Sequence, residues 1–175
     1  MLVIFGGLPG TGKTTISRQV AGRLQACYLR IDTIEQAIRA SGIPGSAPDV
    51  GPAGYMIAYR VAADNLRIGG SVVADSVNPL KITRDAFREI AAQAGATCLE
   101  VEIVCSDRLE HRRRVEERHP DIEGFRPPTW EEVEARDYEP WDRPHLQIDT
   151  AGSSIAQSVE MVLHALQEAA TPGMP

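Results

Sequence analysis

The sequence predicts an α/β fold in three layers: a parallel sheet of about five strands, helices on both faces, and a small lid. Three observations lead there. Short apolar, β-branched runs alternate with helical patterns along the whole chain, the way a parallel sheet covered on both faces is written. The first run, Leu2-Val3-Ile4-Phe5, passes through a glycine-rich loop directly into a helical pattern. Two later runs lead into carboxylates, Asp32 and Asp75, at the strand ends where such sheets bind ligands.

Taken in order, the loop is followed by Ile16, Val20, Ala21 and Leu24 at helical spacing, which predicts a helix from Lys13 to Gln25. Cys27 to Ile31 reads as a second strand ending at Asp32, and Thr33 to Ala40 as a helix stopped by Gly42. Ser41 to Pro52 lacks periodicity and is rich in Gly, Pro and Ser, a loop. Ala53 to Ile68 is helical and closed by Gly69-Gly70, and Ser71 to Asp75 is a buried-type strand. Asn78-Pro79 looks like a helix start, with Asn78 as cap and Ile82, Phe87 and Ile90 inward, ending at Gly95. Ala96 to Val104 is a strand, and Ser106 or Asp107 caps a helix reaching His119. The polar, proline-punctuated stretch 119–143 holds a short helix from Trp130 to Tyr138. Leu146 to Asp149 is a last strand. Ser153 and Ser154 cap a terminal helix with Ile155, Val159, Val162, Leu163 and Leu166 as its apolar stripe, and the tail from Ala170 frays.

The loop itself carries the strongest signal. Gly7-x-x-x-x-Gly12-Lys13-Thr14, between a strand and a helix, is the P-loop form, so the expected architecture is a three-layer P-loop NTPase fold. Small residues let successive backbone N–H groups converge on a phosphate, and the helix head adds unpaired donors and a positive dipole end. Gly7, Leu8, Pro9, Gly10, Thr11, Gly12, Lys13, Thr14 and Thr15 are therefore expected to hold ATP. Lys13 would reach the β- and γ-phosphates, and the Thr14 hydroxyl would ligate Mg²⁺.

Composition narrows the rest. One domain of 175 residues, with 43% hydrophobic residues, can bury roughly 70% of its unfolded surface. No apolar run is long enough to span a membrane, no basic-headed leader opens the chain, and the cytoplasm is the default expectation. A net charge of −6 disfavours sequence-independent binding to nucleic acid. Three scattered cysteines, Cys27, Cys98 and Cys105, suggest reduced thiols and neither zinc nor a redox pair.

Phosphoryl transfer also needs a metal ligand, positive charge on the transferred group, and a group to orient the nucleophile. Asp75, after Val72-Val73-Ala74, has the form of a metal-binding carboxylate, and could instead contact the acceptor or be solvated. Asp32 could take the proton of an attacking hydroxyl, or it could cap a helix, since Asp32-Thr33-Ile34-Glu35 fits a capping box. Arg114 and Arg118, four apart on the expected helix, would share a face and close over the triphosphate, with Arg113 a rival one residue away. Arg126 could follow the same lid, over residues 112–143. On the acceptor side, residues 41–68 offer Tyr55, Tyr59 and Arg60, one tyrosine of which would go to the core. Trp130, Tyr138 and Trp141 are either hinge packing or ligand contacts, and the four histidines show no ligand spacing.

With these residues in place, the chain resembles the small P-loop kinases grouped with chloramphenicol phosphotransferase, polynucleotide 5′-hydroxyl kinases, zeta toxins, and adenylylsulfate or gluconate kinases. The stretches that carry the resemblance are Gly7 to Thr14, Arg30 to Glu35, Val72 to Asp75, Arg114 to Arg118, and Leu146 to Thr150. The resemblance implies Asp32 as general base, Arg118 or a neighbour as the lid arginine, and Arg143-Pro144 with Asp149-Thr150 beside the adenine. Polynucleotide kinases carry an arginine where this chain has Glu35, which turns the expectation toward a small-molecule hydroxyl and away from a nucleic-acid end. The acceptor itself is not legible. A GTPase switch would want an Asn-Lys-x-Asp motif that the chain lacks, and a non-catalytic ATP-binding regulator would keep the loop without transferring phosphate.

Overall fold

A computed structural model describes residues 1–42 and 50–170. Its five strands are β1 (Leu2–Gly6), β2 (Cys27–Arg30), β3 (Val72–Asp75), β4 (Cys98–Val104) and β5 (Leu146–Asp149). All pair in parallel, in the order β2-β3-β1-β4-β5. The central strand β1 is buried along its whole length, which is why it reads as an unbroken apolar run. Its side chains alternate between two cores. Val3 and Phe5 face α1 (Lys13–Leu24) and α7 (Ile155–Ala170), whereas Leu2 and Ile4 face α3 (Ala53–Arg67) and α4 (Lys81–Gln93). Helix α2 (Ile31–Ala40) packs on α3 at the sheet's β2 edge. No helix among the described residues is long and apolar enough to cross a membrane.

Helix boundaries differ from expectation where tertiary contacts set them. Asn78 does not cap α4. The helix begins at Lys81 with Leu80 as N-cap, while Asn78 adopts φ +48°, is fully buried, and donates from Nδ2 to the Phe5 carbonyl at 2.7 Å. Asparagine tolerates that backbone, and its amide satisfies the end of β1. This later start sets the phase of α4: Arg84, Phe87 and Ala91 face inward, and Ile82 is 72% exposed. Arg84 is completely buried, its guanidinium donating to the carbonyls of Asn78, Glu139 and Pro140 at 3.1 Å each.

Helix α5 (Arg108–Glu116) is capped by Asp107, which accepts from the Leu109 and Glu110 amides, and it stops short of His119. Pro120 disfavours helical backbone just before it. Helix α6 (Trp130–Glu134) is capped by Thr129 in a capping box with Glu132, and ends before Tyr138. Trp130 and Val133 form a small core with Val115 and Leu8, which ties the lid to the phosphate loop. The 112–143 segment therefore divides. Residues 138–143 pack on the body of the sheet: Tyr138 donates to Glu102 at 2.9 Å, and Trp141 lies under the Arg84 guanidinium at 4.9 Å. Both serve packing. The 43–49 part of the expected acceptor loop and the tail 171–175 lie outside the described residues.

Candidate active site

At the carboxyl edge of the sheet, a cleft of about 1100 Å³ is walled by the phosphate loop, the start of α2, Tyr55 of α3, and the α5–α6 lid. The loop geometry demands glycine at two points. Gly7 has φ +130°, and a Cβ there would lie 2.1 Å from the Ile103 carbonyl oxygen. Gly10 has φ +87°, and a Cβ would meet Val115 at 2.5 Å. The loop is braced from outside. His111 Nε2 donates to the Pro9 carbonyl at 2.8 Å, and the Thr150 hydroxyl donates to the Thr11 carbonyl at 2.8 Å. Arg114 in turn donates to that hydroxyl at 2.9 Å and to the Thr150 carbonyl at 3.2 Å. These three residues hold the loop open in advance of any ligand. His111 had no expected role.

Lys13 and Asp75 form the buried centre. Lys13 Nζ lies 3.2 Å from Asp75 Oδ1, with side-chain exposures of 9% and 1%. Tyr28, on the neighbouring strand, donates its hydroxyl to Asp75 Oδ2 at 2.6 Å. Burial would raise the carboxyl's pKa, but the Lys13 charge and the hydrogen bonds from Tyr28, Lys13 and Thr14 outweigh it and hold the group below its usual range. Asp75 is ionised, not solvated. The Thr14 hydroxyl and the Asp75 carboxylate are hard oxygen donors beside a phosphate cradle, a set that suits Mg²⁺, which takes few protein ligands and keeps its remaining waters.

Asp32 lines the same cleft. Helix α2 starts directly after β2, with Arg30 as N-cap and no side-chain cap, so Asp32 is in the first turn and the capping reading fails. Its side chain is 35% exposed and faces the cavity. The nearby Arg30 guanidinium, only 5% exposed, is 4.0 Å from Asp32 but commits its fork to Asp121 of the lid, at 2.8 and 2.9 Å. Arg18 of α1 adds a third bond to Asp121 at 2.6 Å. The hydrogen bond from Arg30, followed by that from Arg18, keeps the Asp121 carboxyl far below the ordinary range. Asp121→Ala is expected to lower stability by about 1–3 kcal/mol, since it strands a buried guanidinium. A folded-state pKa below the unfolded one makes this contribution present above about pH 4 and lost as pH falls below it, so wild type and variant should converge in acid denaturant melts. Equal melts at neutral pH would mean that Asp32 alone satisfies Arg30.

The lid arginines do not share a helical face, because α5 ends at Glu116 and Arg118 lies beyond it. Arg113, Arg114 and Arg118 all line the cleft nonetheless. Arg113 is tied to Glu110 and Glu117, and Arg114 to Glu110 and Thr150. Arg118 makes no ion pair among the described residues and lies over the Phe125 ring at 5.8 Å. Arg126 reaches the cleft rim and pairs with Glu132 at 3.1 Å.

Three expected residues are elsewhere. Arg143, expected beside the adenine, is not in the cleft: its guanidinium grips Glu100 at 2.9 and 3.1 Å and Asp85 at 2.5 Å, because these carboxylates of β4 and α4 are its nearest neutralising partners. Arg60 is exposed on the outer face of α3. Tyr59 is core, edge-on to Phe87 at 4.6 Å and donating to the Thr83 carbonyl at 3.1 Å. Tyr55 remains as cleft wall, its hydroxyl accepting from the Asn78 amide at 3.2 Å. Glu35 lines the same wall, paired with Arg39 at 3.3 Å, and burial raises its pKa.

The fold and loop agree with known proteins. A family model described as an AAA domain, AAA_33, matches residues 2–130. A curated protein of Aeropyrum pernix described as a probable adenylyl-sulfate kinase is 28% identical over 167 residues, covering 91% of this chain and 88% of that one. Among solved structures, Chaetomium thermophilum Kti12 in complex with ADP-AlF3 superposes with TM-score 0.72 at 22% identity, covering 98% of this chain and 100% of that chain. The Mycobacterium tuberculosis APS kinase CysC, in complex with AMPPNP and APS, gives TM-score 0.65 at 21% identity over 95% and 96% of the two chains. At these identities the structural matches speak for the fold.

Proposed function

The chain belongs to the AAA_33 family, within the group of small P-loop kinases, and from that premise we propose that it transfers the γ-phosphate of ATP to a hydroxyl of a small molecule. The observation that carries this is that one cleft is lined both by Lys13 of the phosphate loop, backed by the buried Asp75, and by the uncapped carboxylate of Asp32.

In this mechanism the amides of Gly10 to Thr15 cradle the polyphosphate at the head of α1. Lys13 turns from Asp75 toward the β- and γ-phosphates. Mg²⁺, when bound at Thr14 and Asp75, neutralises charge on the transferred group. Asp32 accepts the proton of the attacking hydroxyl, and the absence of a capping bond leaves its oxygens free to do so. Arg118, with no carboxylate partner among the described residues, supplies positive charge from the lid, while Arg114 keeps the loop in shape through Thr150. Tyr55 forms the wall against which the acceptor rests. The surrounding mix of Glu35, Gln36, Arg39, Glu132 and Arg136 suits a polar, hydroxyl-bearing molecule.

The test is ADP release in Mg²⁺ and ATP across a panel of hydroxylated metabolites and antibiotics, with a 5′-hydroxyl oligonucleotide as comparison. Stimulation by one small-molecule class is expected. ATP binding without stimulation by any member would instead favour a regulatory ATP-binding protein, and stimulation by the oligonucleotide alone would move the acceptor to nucleic acid.

A further inference from the structure

We propose that Tyr28 is a positioning residue: with Lys13 it engages both oxygens of Asp75 and holds in place the carboxylate that would serve Mg²⁺. This rests on the phosphotransferase reading and names a part of the site that the P-loop motif does not contain.

The β2–β3 register sets Tyr28 opposite Val73 and Arg30 opposite Asp75. Side chains of one strand alternate between faces, so Tyr28, Arg30, Val73 and Asp75 all lie on the α1 side. Tyr28 is then the diagonal neighbour of Asp75, a separation that a tyrosine can bridge and a shorter side chain cannot. Its ring packs against the core under α1, and its hydroxyl is held between the Asp75 carboxylate and Ser17. The bond it makes there is 2.6 Å, against 3.2 Å for Lys13 on the other oxygen.

The two donors differ in what they can do next. Lys13 is a flexible side chain that phosphate will attract away. Tyr28 is fixed by its ring in the core, and its hydroxyl stays on Oδ2 whatever Lys13 does. When Lys13 leaves, Tyr28 still holds Oδ2. A carboxylate held at one oxygen keeps its orientation, and with Thr14 it would serve Mg²⁺, an ion that gives up its waters reluctantly. Without the hydroxyl, the buried carboxylate would lose its 2.6 Å donor and be left to the Thr14 hydroxyl whenever Lys13 is on phosphate.

The experiment is calorimetric titration of wild type and Tyr28→Phe with ATP, once in Mg²⁺ and once in EDTA. The substitution keeps the ring, and melts without nucleotide report any loss of folding. The Mg²⁺-linked gain in affinity should fall roughly tenfold in Tyr28→Phe, the size of one hydrogen bond to a charged group. Metal-free affinity should change by no more than about twofold, since Tyr28 touches no phosphate donor. In an Asp75→Asn background, Tyr28→Phe should have no further effect on the Mg²⁺-linked gain. An unchanged gain in Tyr28→Phe, or an additive loss in the double variant, would overturn the proposal, even if the variant melts at a lower temperature as for a merely structural hydroxyl. A wild-type protein with no Mg²⁺-linked gain would overturn the phosphotransferase reading itself, and the proposal with it.

Discussion

Lys13→Ala is expected to abolish phosphoryl transfer and to weaken ATP binding by roughly 10- to 100-fold, the range for a lost hydrogen bond to a charged group. The larger effect falls on transfer, because Lys13 follows charge that develops on the phosphates as the bond to the leaving oxygen breaks. The same substitution leaves Asp75 buried beside Tyr28 with no cation, so the ligand-free protein should also melt at a lower temperature. Nucleotide titration, turnover and thermal melts separate these consequences. Unchanged ATP affinity in a folded Lys13→Ala protein would mean that the cleft binds its ligand elsewhere.

Asp32→Asn is expected to cut turnover by about two orders of magnitude or more, the size usual for losing a general base, while ATP affinity and melting temperature stay near wild type. The structure makes this a clean test. Asp32 caps no helix and the arginine beside it, Arg30, is satisfied by Asp121, so the amide removes basicity with little structural cost. Steady-state turnover with the identified acceptor, together with an ATP dissociation constant, decides it. Unchanged turnover would reduce Asp32 to a wall of the cleft.

Much of the fold was legible because its signals are local. The strands are short and mostly apolar or β-branched, and each appeared in the sequence within a residue or two of where it lies. The phosphate loop was legible because glycines in left-handed conformation leave few alternatives. What was missed depends on tertiary register. Asp32-Thr33-Ile34-Glu35 has the same spelling whether Asp32 caps the helix or sits in its first turn, and only the immediate start of α2 after Arg30 decides between them. The Arg114–Arg118 pairing failed because a helix end two residues before Arg118 cancels any shared face. Arg143 was read from its neighbourhood in sequence, whereas Glu100 and Asp85 capture it in space. Asp121 lies in a stretch with no periodicity, and its ties to Arg18 and Arg30 cross 103 and 91 residues. Tyr28 was within reach: strand alternation places it on the same face as Asp75 once β2 and β3 are known to pair.

The central claim, that the cleft moves phosphate from ATP to a carbon-bound hydroxyl, is tested most directly by phosphorus NMR of wild-type protein with Mg²⁺-ATP and the acceptors that stimulate ADP release. A new phosphomonoester resonance growing in step with ADP is expected. Inorganic phosphate as the sole other product, for every such acceptor, would contradict it.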